Sequence, residues 1–116
     1  MQDAKTVEKQ LRIKTNSLVR YKKDLISYRK ELTSEQTKLD KMMVEAEDEY
    51  TIKKYKEIIK ETEAVIENIK GKFKIQREEV AEFILVCDEF PSIKETEQWE
   101  KTHLSIADCD TYAETL

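Results

Sequence analysis

The chain has 116 residues, of which 40% are charged and 39% hydrophobic, and it contains one glycine and one proline. Sheet proteins need many turns, which draw on glycine and proline, so this composition argues against a sheet and predicts an all-α fold of long helices. The formal net charge of −4 argues against nonspecific nucleic-acid binding, which requires a basic surface. The length indicates a single domain over residues 1–116.

The first predicted helix spans residues 3–46 and begins at Asp3, a residue type favoured as an N-cap. Its apolar residues alternate at spacings of four and three, which predicts packing along a coiled-coil-like seam. Lys14 and Glu35 depart from this pattern, but their long side chains can pack methylene groups in the seam and expose the charge. The seam positions are Val7, Leu11, Lys14, Leu18, Tyr21, Leu25, Tyr28, Leu32, Glu35, Leu39, Met42 and Ala46.

The second predicted helix spans residues 52–87, with Thr51 as its N-cap. Tyr50 then falls in the loop between the helices, where it either covers the end of the bundle or contacts a partner. The same four-three spacing continues at Ile52, Tyr55, Ile59, Thr62, Ile66, Ile69, Phe73, Gln76, Val80, Phe83 and Cys87. Three further apolar residues widen this stripe, as expected for a helix that packs against two others. They are Ile58, Val65 and Ile84.

The third predicted helix spans residues 92–112. Pro91 ends the second helix, and Ser92 with Glu95 has the spacing of a capping box. Trp99 is predicted to anchor this helix on the others. Since short connections make neighbouring helices antiparallel, we predict an elongated antiparallel three-helix bundle with coiled-coil-like seams and a shorter third helix. A monomer is expected, with a homodimer as the alternative.

No residue pattern indicates catalysis, a cofactor or a metal site. His103 is the only histidine and lacks the clustered ligands of a zinc site. Cys87 and Cys109 show no CxxC spacing, which is typical of reduced thiols in a cytosolic protein. The longest apolar run, residues 83–87, is too short to span a membrane, and the N-terminal sequence lacks the apolar stretch of a signal peptide. We therefore predict that the protein is not an enzyme.

Charge is unevenly distributed along the chain. Residues 1–46 contain 11 basic and 7 acidic side chains, a net charge of +4, and residues 47–116 contain 10 basic and 18 acidic side chains, a net charge of −8. Several basic residues lie off the seam of the first helix: Arg12, Arg20, Lys22, Lys23, Arg29 and Lys30. Such a face can attract an acidic partner, or it can be an ordinary solvated surface.

Two stretches of the sequence carry a family resemblance. Residues 11–15 read Leu-Arg-Ile-Lys-Thr and are followed by basic residues and Tyr28. Residues 47–54 read Glu-Asp-Glu-Tyr-Thr-Ile-Lys-Lys, an acidic stretch followed by an aromatic residue, an aliphatic residue and two lysines, and the similarity continues through residues 57–62. Together they resemble the tubulin-folding cofactor A family, over about residues 10–87. Thr51 stands where that family usually has a capping aspartate, and Ile66-Glu67 stands where it often has Ile-Pro.

The resemblance implies a chaperone that binds folding intermediates of β-tubulin and assists assembly of the αβ-tubulin heterodimer. It implies no enzymatic activity, no cofactor, and a cytoplasmic location associated with the microtubule cytoskeleton. From the net charge and the short apolar runs, neither nucleic acid nor a membrane is expected as a partner. Other tubulin-folding cofactors are further candidate partners. The alternative is a generic helical coiled-coil scaffold with a different client. The residues proposed to contact the partner are Arg20, Lys22, Lys23, Tyr50, Lys53 and Lys54.

Overall fold

A computed structural model describes residues 3–116, and this part of the chain contains three α-helices, one short 3-10 helix and no strand. Helix α1 spans Ala4–Val44, helix α2 spans Glu49–Cys87, the 3-10 helix spans Pro91–Glu95 and helix α3 spans Glu97–Ala113. At 17 residues, α3 is less than half as long as α1, with 41 residues, or α2, with 39. The predicted all-α fold with a shorter third helix is confirmed.

Helix α1 begins and ends with recognisable caps. The Asp3 side chain accepts a 2.8 Å hydrogen bond from the Thr6 backbone amide, as its predicted capping role requires. That bond lowers the pKa of Asp3, because it stabilises the carboxylate. At the other end, the Ala46 amide donates to Met43 O and the Glu47 amide donates to Met42 O, which is the Schellman pattern. Since Ala46 adopts a left-handed φ of 53°, the helix ends two residues earlier than predicted.

The start of α2 differs from the prediction, and Thr51 is not its N-cap. Asp48 caps the helix, since its Oδ1 accepts the Thr51 amide and its Oδ2 accepts the Thr51 hydroxyl, both at 2.8 Å. The Thr51 amide thereby lowers the pKa of Asp48. A carboxylate with two oxygens can accept both donors of Thr51, so the helix starts at Glu49. Tyr50 consequently lies in the first turn of α2, and its predicted place in the loop is wrong.

The predicted capping box at Ser92 and Glu95 is also wrong, because residues 91–95 form the 3-10 helix and α3 starts later. Thr96 has extended backbone angles, φ −89° and ψ 155°, which interrupt the helical path. Its hydroxyl accepts a 3.2 Å hydrogen bond from the Trp99 amide and donates one of 2.6 Å to Ile93 O. Thr96 is therefore the N-cap of α3, and the short 3-10 helix carries Ile93 into the core with 1% exposure.

The chain divides into two compact units. One comprises residues 1–22 and 71–116 and is called here the three-helix unit; the other comprises residues 23–70 and is called the hairpin unit. In the three-helix unit, a core cluster is formed by Val7, Leu11, Cys87 and Ile93. Trp99 packs against that cluster, as expected for the anchor of α3. Further buried side chains of this unit are Leu18, Phe73, Val80, Thr102 and Cys109.

Polar contacts define the helix directions within the three-helix unit. The hydroxyls of Thr15 in α1 and Thr102 in α3 are both buried and lie 2.9 Å apart. Lys22 Nζ lies 2.7 Å from Asp108 Oδ2, so contacts advance in the same direction along α1 and α3, which run parallel. The Arg77 side chain of α2 binds Asp110. The Phe73 ring meets the Tyr112 ring edge-on at 6.2 Å, so α2 runs antiparallel to α3.

The hairpin unit consists of the C-terminal half of α1 and the N-terminal half of α2. Its buried residues lie on the predicted seams: Leu25, Glu35, Met42, Ile59, Thr62 and Ile66. Ile58 and Val65 are 43% and 38% exposed, so the prediction that they widen a buried stripe is wrong. Only two helices pack together within this unit, and α2 therefore has no second neighbour there against which a wider stripe could be buried.

Candidate partner-binding surface

The predicted contact residues of α1 differ in whether their charge is already paired within the chain. Arg20 and Lys23 are exposed and form no ion pair within residues 3–116. Lys22, by contrast, binds Asp108, and its Nζ lies 5.8 Å from the centroid of the Tyr112 ring. Its side chain is only 20% exposed. Lys22 therefore joins α1 to α3 within the three-helix unit and is less suited to contacting a partner.

The predicted contact residues at the start of α2 lie on its exposed surface. Tyr50 is 70% exposed, and Lys53 is also exposed. Lys54 Nζ lies 5.5 Å from the centroid of the Tyr50 ring and 3.9 Å from a Glu57 carboxylate oxygen. The cation thus restrains the aromatic ring, four residues earlier on the same helix face, without burying it. Tyr50 and Lys53 are the more available members of this group.

The six predicted residues are divided between the two units. Arg20 and Lys22 belong to the three-helix unit, and the other four belong to the hairpin unit: Lys23, Tyr50, Lys53 and Lys54. The three-helix unit has six further exposed cations without an ion pair among the described residues: Lys5, Lys9, Arg12, Lys72, Lys74 and Lys101. The sequence pattern does not single out Lys101, because contacts between distant residues, Thr15–Thr102 and Lys22–Asp108, set how α3 faces α1.

The two cysteines and the histidine, residue types that often take part in catalysis, pack against other side chains in this structure. Cys87 and Cys109 are buried, and burial raises the pKa of both thiols, which disfavours the reactive thiolate. The His103 ring packs at an interplanar angle of 67° against Trp99, with 4.5 Å between ring centroids. No group of three or more His, Cys, Asp or Glu side chains in residues 3–116 is placed to hold a metal ion. Over the same residues, no helix has the length and hydrophobicity to cross a membrane.

Two solved structures share the fold of this chain. A crystal structure of tubulin folding cofactor A from Arabidopsis thaliana matches with a TM-score of 0.80 and 24% identity, covering 90% of this chain and 96% of that one. The human tubulin chaperone cofactor a matches with a TM-score of 0.73 and 23% identity, covering 90% and 98% of the two chains. At these identities the likeness establishes the fold. A comparison of the sequence with curated proteins finds no match.

Family membership comes from the sequence itself. The family model described as tubulin binding cofactor A matches residues 6–106, which include most of α1, all of α2 and the first half of α3. This span contains both stretches that carry the resemblance, residues 11–15 and 47–54. It also extends into α3, where no motif resembles the family and only the predicted helical architecture does. The chain therefore belongs to the tubulin binding cofactor A family.

Proposed function

We propose that this protein is a tubulin-folding chaperone that binds β-tubulin and assists its assembly with α-tubulin in the cytoplasm. The observation that carries the proposal is the family match over residues 6–106. The fold supports it, since the two matched structures are described as a tubulin folding cofactor A and a tubulin chaperone. Enzymatic activity and a cofactor form no part of the proposal.

The surface chemistry suits reversible binding of a client. Exposed, unpaired cations such as Arg20, Lys23 and Lys53 attract an acidic surface at a distance and leave a polar interface that exchanges readily. Tyr50 adds an exposed aromatic ring of the kind enriched at protein interfaces. Lys22 and Lys54 contribute less directly, because their charges already interact within the chain.

The direct test is binding to β-tubulin released from chaperonin, followed on a sizing column, with the αβ-tubulin heterodimer as the comparison. We expect a discrete complex with β-tubulin. The variant Tyr50→Ala/Lys53→Glu removes an exposed ring and a free cation and should weaken the complex. The control matched in charge is Lys60→Glu, which reverses one exposed lysine on the same helix. A folded, helical protein that forms no complex would contradict the proposal and favour a helical scaffold with another client.

The same column experiment, coupled to light scattering, measures the mass of the free protein. A constant monomer mass on dilution is expected for a chain that buries its own seams. A mass that falls from dimer to monomer on dilution would support the homodimer alternative.

A further inference from the structure

A groove lies between the parallel helices α1 and α3 on one face of the three-helix unit. One part, with a volume of about 360 Å³, is lined by residues that include Arg12, Asn16, Lys101 and Leu104. A second part, of about 320 Å³, is lined by residues of α1 alone: Ile13, Asn16, Ser17 and Arg20. Asn16 lines both parts, so the second adjoins the first along α1. We refer to the two parts together as the α1–α3 groove.

The floor of the α1–α3 groove is held by a buried polar contact. Thr15 and Thr102 are 2% and 0% exposed and share the hydrogen bond that joins the two helices. The Gln98 side chain adds a 3.1 Å hydrogen bond to the Thr102 hydroxyl. Since buried hydroxyls that lose their partner cost stability, this contact fixes the register of α3 on α1. The groove is thus formed before any partner arrives, and binding requires little ordering of the helices.

The lining of the α1–α3 groove carries charge of one sign. Arg12, Arg20 and Lys101 are exposed, form no ion pair with any described residue, and share the groove with no carboxylate. Four basic residues of the three-helix unit are paired with acidic neighbours: Lys14 with Glu79, Lys22 with Asp108, Arg77 with Asp110 and Lys94 with Asp88. Lys5, Lys9, Lys72 and Lys74 are exposed and unpaired as well, so what distinguishes the groove is that three unpaired cations line it without a carboxylate, in a protein with a net charge of −4.

Two aliphatic side chains complete the lining. Ile13 is 52% exposed and Leu104 is 66% exposed, so both offer apolar surface between the cations. Surfaces that bind single-stranded nucleic acid present aromatic rings for stacking, and no aromatic residue lines this groove in the described chain. The combination of cations, exposed aliphatic groups and the amide of Asn16 suits a polypeptide with carboxylates around an apolar side chain.

We propose that the α1–α3 groove binds a segment of the tubulin client that carries acidic residues on either side of an apolar side chain. The inference rests on the proposed function, and it adds the part of this chain that engages the client and the chemistry of the segment engaged. Arg12, Arg20 and Lys101 pair with the carboxylates of that segment. Ile13 and Leu104 contact its apolar side chain.

The test compares three forms of the full chain for affinity to β-tubulin at low and at raised salt. The groove variant is Arg12→Glu/Arg20→Glu/Lys101→Glu. The matched control is Lys56→Glu/Lys60→Glu/Lys72→Glu, which makes the same change in net charge at exposed positions of α2. All three proteins are first checked for helicity by circular dichroism. We expect the groove variant to bind about ten-fold or more weakly and the control to change less than about two-fold. Binding of the unaltered protein should also weaken as salt is raised.

A further variant, Leu104→Ser, removes apolar surface from the groove without changing charge. Because Leu104 is 66% exposed, we expect the variant to fold normally and to bind more weakly at both salt concentrations. Normal β-tubulin binding by the groove variant would overturn the proposal that the groove binds the client, but it would not contradict the proposed function. An equal loss in the groove variant and the control would also overturn it, as a general effect of charge. Failure of the unaltered protein to bind β-tubulin would overturn the proposed function itself, and the client assignment of the groove with it.

Discussion

The three-helix unit and the hairpin unit use the same two long helices but bury them differently. In the three-helix unit, the seam residues Val7, Leu11, Val80 and Cys87 are all 0% exposed. In the hairpin unit, Met42, Ile59 and Ile66 retain between 5% and 8% exposure, although Leu25 is fully buried. A seven-residue repeat thus specifies which residues face a neighbour, while the number of neighbouring helices determines how completely they are covered.

The two units also differ in whether their buried polar groups have hydrogen-bond partners. In the three-helix unit, the hydroxyls of Thr15 and Thr102 satisfy each other. In the hairpin unit, Glu35 is only 8% exposed, and its Oε1 atom is buried without a hydrogen-bond partner among the described residues. An unsatisfied buried oxygen costs stability. We therefore expect the three-helix unit to be the better stabilised of the two.

The largest expected difference comes from matched truncations on α1. Leu11→Ala leaves a cavity in the core cluster of the three-helix unit and should lower the free energy of unfolding by about 3 kcal/mol. Leu39→Ala, in the half-buried seam of the hairpin unit, should lower it by about 1 kcal/mol. Urea denaturation followed by circular dichroism measures both. Equal losses would show that the two units are packed equally well.

Replacing the buried carboxylate should stabilise the hairpin unit. Glu35→Leu removes the unsatisfied oxygen and should raise the free energy of unfolding by about 1–2 kcal/mol. Glu31→Leu, at an exposed position one turn earlier on α1, is the control and should change little. The same urea series measures both variants, and a loss of stability in Glu35→Leu would mean that this carboxylate has a stabilising partner.

The start of α3 offers a smaller test within the three-helix unit. Thr96→Ala removes the hydroxyl that accepts the Trp99 amide and should cost about 1 kcal/mol. Ser92→Ala should have almost no effect, because Ser92 is exposed in the 3-10 helix and does not cap α3. Thermal unfolding ranks the two variants. A larger loss of stability in Ser92→Ala than in Thr96→Ala would support the capping box predicted from the sequence.

The smallest expected effects concern backbone conformation, at one position in each unit. Ala46 has the left-handed φ that glycine adopts more readily, so Ala46→Gly should stabilise the end of α1 by about 0.5 kcal/mol. Gly71 lies inside α2 with open space around an added Cβ, so Gly71→Ala should stabilise by about 0.5–1 kcal/mol. Thermal unfolding of the single and double variants measures both, and additive gains are expected for separate sites.

The candidate site was only partly predictable from the sequence. Arg20 stands out as a basic residue off the seam of α1, and the structure leaves it unpaired in the α1–α3 groove. Lys22 looks equivalent in the sequence, but Asp108, which lies 86 residues later, neutralises it. Lys101 carries no sequence signal, since its place beside Arg12 depends on the register of α3 against α1. Long-range charge pairing and helix register are not encoded in local spacing.

The sequence by itself determined the three helices, their seams and the family, because the period of apolar residues and a few short motifs are local properties of the chain. Tertiary structure decided which seam residues are fully buried, which lysines keep a free charge, and which face of α1 lies beside α3. The choice of Asp48 over Thr51 and of Thr96 over Ser92 as caps rests on hydrogen bonds between residues three apart, so it is local, although the sequence pattern did not reveal it. Burial and charge pairing depend instead on groups that are far apart in the sequence and that only folding brings together.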